Sequence, residues 1–414
     1  MKSAPPGLAV VEPPPVSDLQ LDHVEFYVGD LEQQLAFWTD SYGFRIAGRG
    51  GSPEEGFRSV LVRQGAISLV LTEGLDPAHP ACAYVRAHGD GVANIGLRTR
   101  DAHAVFESAV RVGACPLTPP DRHDRDKDVI HATLASGLDD VTLTLLEREQ
   151  PAGEQQVEAL PPGFELAAEP VRTAASNTSL EAEGEVGADI GTGLLEVDHF
   201  AVCVRPGQMA ALTDLYVRAF GFREIYEERI VVGGQAMLSK VVQSATKSLT
   251  FTVIEPDPTA DPGQIDTFLA EHGGSGVQHI AFSTVNVVAS VPALAERGVA
   301  FLTTPGLYYE VLSQRVAVTR HPLAELRRLS VLVDEDHDGQ LFQIFTRSVH
   351  PRNTLFFEVI ERFGGTTFGS ANIKALYEVV ELERQRHQAL GAQRTEGEGW
   401  EQGHGPAGRQ ERSK

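Results

Sequence analysis

The stretch Gly276-Val277-Gln278-His279-Ile280-Ala281-Phe282 has the apolar density of a buried strand, with one histidine set into its middle. An earlier stretch, Gly91-Val92-Ala93-Asn94-Ile95-Gly96-Leu97, follows the same outline and carries Asn94 where the later one carries His279. The two stretches sit in a larger repeat. Leu21-Asp22-His23-Val24-Glu25-Phe26-Tyr27-Val28 alternates like a strand and is matched by Val197-Asp198-His199-Phe200-Ala201-Val202-Cys203-Val204. After each comes a helical pattern that ends at Tyr42-Gly43-Phe44 and at Phe220-Gly221-Phe222 respectively. A repeat of this length predicts two duplicated domains and not a solenoid.

Within the first copy, Asp30 with Gln33 forms a capping-box start, and Leu31, Leu35, Trp38 and Tyr42 share one face of the predicted helix. Strand patterns follow over 58–63 and 67–72, then a helix ending near 89, the strand 91–97, a helix over 101–113, and strands over 129–134 and 141–146. The expected organisation is a Pro-rich disordered segment over 1–18, a first domain over 19–150, a linker over 151–193, a second domain over 194–390 and a disordered tail over 391–414. Residues 370–390 keep a helical stripe through Ile373, Leu376, Tyr377 and Val380.

Composition narrows the partners. A formal charge of −22 repels phosphate backbones and anionic lipid, so neither nucleic acid nor a membrane surface is expected. No apolar run reaches the length of a membrane span or a signal peptide. Cys82, Cys115 and Cys203 are odd in number and lack CxxC spacing, which points to a reducing, cytoplasmic location with the three thiols buried as small hydrophobes.

His199, His279 and Glu358 are the candidate chemistry. Glu358 lies inside Thr354-Leu355-Phe356-Phe357-Glu358-Val359-Ile360, and a carboxylate among such neighbours is costly to bury without a positive partner. Two imidazoles and one carboxylate on separate strands would form the facial set that leaves three sites open on ferrous iron, Fe(2+). Taken singly, a strand histidine is more often a hydrogen-bonded core residue, and His23 is open to that reading. The duplication shifts the balance, since the first copy offers only His23, Asn94 and at best Glu147. One metal site per chain is therefore expected, in the second copy.

In combination, Gly276-Val277-Gln278-His279, Leu341-Phe342-Gln343-Ile344-Phe345-Thr346, Phe356-Phe357-Glu358 and Phe368-Gly369-Ser370-Ala371-Asn372-Ile373-Lys374-Ala375-Leu376-Tyr377 resemble the vicinal-oxygen-chelate dioxygenases that act on 4-hydroxyphenylpyruvate. The likeness runs over about 20–388. It implies an α+β fold of two tandem domains built from paired βαβββ modules, a C-terminal helix closing the site, and iron held by His199, His279 and Glu358. It implies a small aromatic 2-oxo acid and O2 as partners, and leaves a homodimer open.

Two branches share this frame, one making homogentisate and one making 4-hydroxymandelate. The ring-hydroxylating branch has Pro-Leu-Asn-Glu where this chain reads Thr252-Val253-Ile254-Glu255, and Phe where it has Tyr377, so the resemblance favours the mandelate-forming branch. Phe357 departs from the Phe-Tyr-Glu usual there. The expected reaction is oxidative decarboxylation of 4-hydroxyphenylpyruvate with hydroxylation of the benzylic carbon. By family analogy its product would suit hydroxyphenylglycine supply for peptide antibiotics.

Ser239, Gln264, Gln278 and Gln343 match family positions lining the site, and Phe345 and Phe368 match its apolar walls. Without the family, each Gln is equally well a solvated strand end. Asp334, Asp336, Asp338 and Gly339 imitate the start of an EF-hand, but its twelfth position is Phe345, so a hairpin turn is expected and no calcium. Extradiol dioxygenases lack this set of Gln and Phe motifs, and glyoxalase-type isomerases draw four ligands from two modules. A metal-free binding protein is the competing class.

Overall fold

The structure is a computed structural model, and it describes residues 18–148, 159–167, 191–366 and Asn372. The first half opens with β1 (Gln20–Tyr27), α1 (Leu31–Ala36), β2 (Arg45–Ser52), β3 (Phe57–Gln64) and β4 (Ile67–Gly74). After α2 (Pro80–His88), a second unit repeats the order as β5 (Gly91–Arg98), α3 (Ala102–Arg111), β6 (Pro116–Arg122), β7 (Val129–Ala135) and β8 (Thr142–Arg148). A short β9 (Phe164–Leu166) follows.

The second half runs β10 (Val197–Cys203), α4 (Met209–Phe220), β11 (Arg223–Val232), β12 (Gln235–Gln243) and β13 (Thr250–Pro256), then α5 (Gln264–His272). Its second unit is β14 (Gly276–Ser283), α6 (Val287–Glu296), α7 (Gly306–Arg315), α8 (Leu323–Leu329), β15 (Leu332–Glu335), β16 (Gln340–Phe345) and β17 (Phe356–Phe363). Each half is thus a pair of βαβββ modules.

The modules of a pair join through their first strands. The sheet orders are β6-β7-β8-β5-β1-β4-β3-β2-β9 and β11-β12-β13-β10-β14-β17-β16-β15. Alternation along each strand divides the residues between two faces. One face is covered by the module helices and carries the main core, including Phe200, Val202, Ile280, Phe282, Phe357 and Val359 in the second sheet. The opposite, concave face takes the residues in between.

The helix-covered faces of the two halves share one core. Trp38 packs edge-on against Phe357 at 5.0 Å, Phe357 stacks on Phe282 at 5.7 Å, and Phe44 approaches Phe282 at 6.5 Å. A second bridge joins α2 to α5, where His88 stacks on His272 at 4.4 Å and its Nδ1 donates to the His272 carbonyl at 2.8 Å.

Local departures from the expected elements have visible causes. Asp30 caps α1 by accepting from the Gln33 amide at 3.0 Å, as its spacing predicts. The regular helix stops at Ala36, however, and Phe37–Ser41 form a wider π turn in which the Tyr42 amide reaches the Phe37 carbonyl at 3.4 Å. That widening presents Phe37, Trp38 and Tyr42 together to Phe357. β6 was hidden by its prolines, which an exposed edge strand tolerates.

The segment expected to be a linker contributes structure where it is described. β9 pairs with the free edge of β2, and a Cβ on Gly50 would stand 2.9 Å from the Phe164 ring that covers it. Leu160 and Phe164 pack on Ala47, Leu61 and Val70, closing part of the first concave face. Only Cys203 is buried; Cys82 is half-buried and Cys115 exposed, so the expectation of three buried thiols is corrected. Among the described residues no helix is long and apolar enough to cross a membrane. The expected helix over 370–390, and with it Phe368 and Tyr377, lies outside the described residues apart from Asn372.

Candidate metal centre

His199, His279 and Glu358 come from three adjacent strands, β10, β14 and β17. The register puts Ala201 opposite His279, His199 opposite Ala281, and Ala281 beside Glu358. Because alternate residues share a face, all three side chains enter the same concavity. The nearest Glu358 carboxylate oxygen, Oε2, lies 3.5 Å from both His199 Nε2 and His279 Nε2, and one ligand atom from each residue falls within 4.8 Å of the others. All three residues are buried.

The donor set fits a divalent ion. Glu358 Oε1 is buried without a hydrogen-bond partner, an arrangement that is expensive in an apolar interior unless something positive satisfies it. Burial lowers the pKa of His279, which keeps a lone pair available for ligation. The Nδ1 atoms are already committed: His199 Nδ1 donates to Asp198 Oδ1 at 2.8 Å, and His279 Nδ1 faces Gln278 Oε1 at 3.4 Å. Each imidazole therefore turns Nε2 toward the carboxylate. Asp198 is held in turn by Arg362, whose Nε and NH2 donate at 2.7 and 2.8 Å. Burial alone would raise the Asp198 pKa, but the bonds from Arg362 and His199 outweigh it and hold the group below the usual carboxylate range.

Around the triad, Thr252 lies beside Ala201, and Ile254 beside Cys203 and opposite Ser239, so β12 and β13 present all three to the same face. Thr252 Oγ1 is buried and has no partner. Gln278 sits where β14 bulges between the Ala201 and Val202 pairings, which re-aims its side chain beside His279. On β16, Phe345 is paired with Glu358 and Gln343 with Ile360. Phe345 meets the His279 ring edge-on at 5.8 Å. Gln264 stands further out, at the start of α5, beside Ile230, Val232, Met237 and Ile265. Three residues with evident roles were not among the expected site residues. Phe356 stacks on His279 at 4.8 Å, while Asp198 and Arg362 set the orientation of His199. The repeated Asp-His dipeptides, Asp22-His23 and Asp198-His199, were the sequence signal for the second group.

The first sheet has the same register and a different set of side chains. Glu25 pairs with Asn94 as Ala201 pairs with His279, and Gly96 stands beside Thr144 as Ala281 stands beside Glu358. Thr144, and not Glu147, thus occupies the carboxylate position, which corrects the sequence expectation. Glu147 instead accepts from the Ala102 amide at 2.8 Å, just as Glu361 accepts from Val287 at 2.8 Å, so both cap a helix. Asn94 is fully engaged: Thr142 and Thr144 donate to its Oδ1 at 3.0 and 2.9 Å, and its Nδ2 donates to Glu25 at 3.3 Å. The His23 ring lies over Gly96, where a Cβ would stand 2.5 Å from it. Among the described residues, no metal-ligating group of three lies on this sheet.

Models of the Glyoxalase/Bleomycin resistance protein/Dioxygenase superfamily match residues 22–130 and 196–344, one in each half. The chain is 32% identical over 399 residues to a probable 4-hydroxyphenylpyruvate dioxygenase of Aspergillus fumigatus, spanning 88% of this chain and 93% of the relative. It is 28% identical to the 4-hydroxyphenylpyruvate dioxygenase of Dictyostelium discoideum, over 88% and 98% of the two chains. Among solved structures it superposes on a mutant of 4-hydroxymandelate synthase from Streptomyces coelicolor with a TM-score of 0.75 and 38% identity, covering 90% of this chain and 99% of that one.

The chain belongs to the 4-hydroxyphenylpyruvate dioxygenase family, which includes 4-hydroxymandelate synthase. It is therefore a two-domain vicinal-oxygen-chelate dioxygenase.

Proposed function

We propose that this dioxygenase binds ferrous iron through His199, His279 and Glu358 and converts 4-hydroxyphenylpyruvate and O2 to 4-hydroxymandelate and CO2. One oxygen atom ends in the new carboxylate and the other on the benzylic carbon, so the 2-oxo acid supplies its own reducing electrons. Fe(II) at this position would supply chelation of the 2-oxo acid and electrons for O2.

The chain's own residues decide the rest. Phe345 and Phe356 flank His279 and keep water from its ring, giving the substrate ring an apolar wall. Gln278 and Gln343 offer uncharged amide donors and acceptors to the phenol or carboxylate. Phe368 and Tyr377 belong to this proposal through the family motif alone. The observation that carries the choice of product is Ile254, a buried apolar side chain on the face it shares with Thr252 and the triad. An Asn at that position would offer the bound fragment a polar anchor. Ile254 removes it, and a small displacement of the fragment decides which carbon is nearest the oxidant. The 38% identity to a 4-hydroxymandelate synthase supports the same choice.

The test is to load the protein anaerobically with Fe(II), add 4-hydroxyphenylpyruvate and air, and separate the products by chromatography. 4-Hydroxymandelate as the main product is expected, whereas homogentisate would place the chain in the ring-hydroxylating branch.

A further inference from the structure

The two Asp-His dipeptides allow a comparison inside one molecule. In the second half, Arg362 on β17 closes on Asp198 with two hydrogen bonds of 2.7 and 2.8 Å, and Asp198 accepts from His199 Nδ1 at 2.8 Å. In the first half, His23 Nδ1 is also 2.8 Å from Asp22, but Arg148 stops 3.6 Å short of that carboxylate. Its Nε and NH2 are buried with no hydrogen-bond partner. Arg148 and Arg362 hold the same place in register, each four residues beyond the position of Thr144 or Glu358. The clamp is therefore complete only in the half that assembles a ligand set.

We infer that Arg362 and Asp198 are positioning residues for the metal, acting through His199. The inference rests on the proposed metal site. A carboxylate accepting from Nδ1 fixes the imidazole tautomer with its lone pair on Nε2, the nitrogen that faces Glu358. Arg362 occupies the outer oxygen of Asp198 and shares the inner one, so the carboxylate cannot rotate away from His199. The same strand supplies Glu358 and Arg362, which sets a metal ligand and the partner of another ligand in one rigid frame. Arg362 also reaches the Gly365 carbonyl from NH1 at 3.4 Å, tying the end of β17 to that frame.

Asp198→Asn is the informative change, because the guanidinium still needs an oxygen. The amide turns its Oδ1 to Arg362 and its NH2 to His199 Nδ1, which selects the tautomer with the proton on Nε2 and blocks ligation. Co(II) is the probe, titrated into the full chain against a competing chelator, with the ligand-field spectrum recorded alongside. Wild type should bind one Co(II), His279→Ala none, and Asp198→Asn should bind about 10–100-fold more weakly with a changed spectrum. Arg362→Gln should also bind more weakly, Arg362→Lys should recover part of the loss, and Asp22→Asn should match wild type.

Equal binding by wild type and His279→Ala would overturn the metal site itself. Normal wild-type binding, with unchanged affinity and spectrum in Asp198→Asn and Arg362→Gln, would overturn this inference alone. So would an equal loss in Asp22→Asn and Asp198→Asn, since that would report general destabilisation. Should Asp198→Asn not fold, Arg362→Gln and Arg362→Lys decide: weaker binding with partial recovery supports the inference, and identical affinities to wild type overturn it.

Discussion

Thr144 and Glu358 hold equivalent positions in the two sheets, each on the last strand of the second module of its half and each beside a small residue, Gly96 or Ala281, on the neighbouring strand. The difference of one side chain, together with Asn94 for His279, separates a closed polar network from a site with an unsatisfied carboxylate oxygen. Both sheets carry out the same folding task, and at this position only the second is left incomplete, with a buried carboxylate oxygen that has no partner.

That incompleteness predicts opposite effects of Glu358→Gln on binding and on stability. Losing the ligand charge should weaken Fe(II) binding by about a hundredfold or more. Without metal, the variant should be more stable than wild type, by about 1–3 kcal/mol, because an uncompensated buried charge is removed and the new amide can donate to a histidine Nε2. Denaturant titration of the metal-free proteins, paired with metal competition, checks both signs.

Ile254→Asn should move the product mixture toward homogentisate. The buried amide also stands among Ala201, Cys203, Ile230 and Met237, so a loss of about 1–3 kcal/mol in stability is expected. The product ratio at complete substrate consumption is the measurement, and an unchanged ratio would count against Ile254 as the selecting residue.

Acid should loosen the contact between the halves at α2 and α5. Burial first, and the neighbouring His88 second, push His272 down to about 4 from an ordinary value near 6.5. The unfolded chain therefore binds this proton before the folded one does. Stability attributable to His272 is fully present above about pH 6.5 and is lost progressively as pH falls, reaching about 3 kcal/mol by pH 4. The slope of unfolding free energy against pH between 4.5 and 7 should flatten in His272→Phe.

Trp38→Ala should cost about 3–5 kcal/mol, since a fully buried indole is lost from contact with Phe26, Phe44 and Phe357. Calorimetry should show both halves losing stability together, although Trp38 belongs to the half without the ligand set.

The sequence was most legible where periodicity and chemistry coincided. The paired strands around His23 and His199 and the Asn94 and His279 contrast could be read from alternation and repetition, whereas the paired βαβββ modules came from the family resemblance. β6 was not, because its prolines read as loop and only its place at the sheet edge makes them tolerable. The Thr144 equivalence was missed for a different reason: Glu147 is the nearest acid in sequence, and only the pairing of β5 with β8 shows that it faces a helix end. Arg362 was missed because its partner Asp198 is 164 residues away in the chain.

Phe357 adjoins Glu358 in β17, and its ring is seated among Phe37, Trp38 and Tyr42 of the first half. The repeat without the ligand set is therefore a foundation for the other. An excised second repeat would leave that ring facing solvent and the ligand strand without backing. A change on the convex side of the first repeat therefore reaches the ligand strand through Phe357, whereas one on its concave side does not touch that seat.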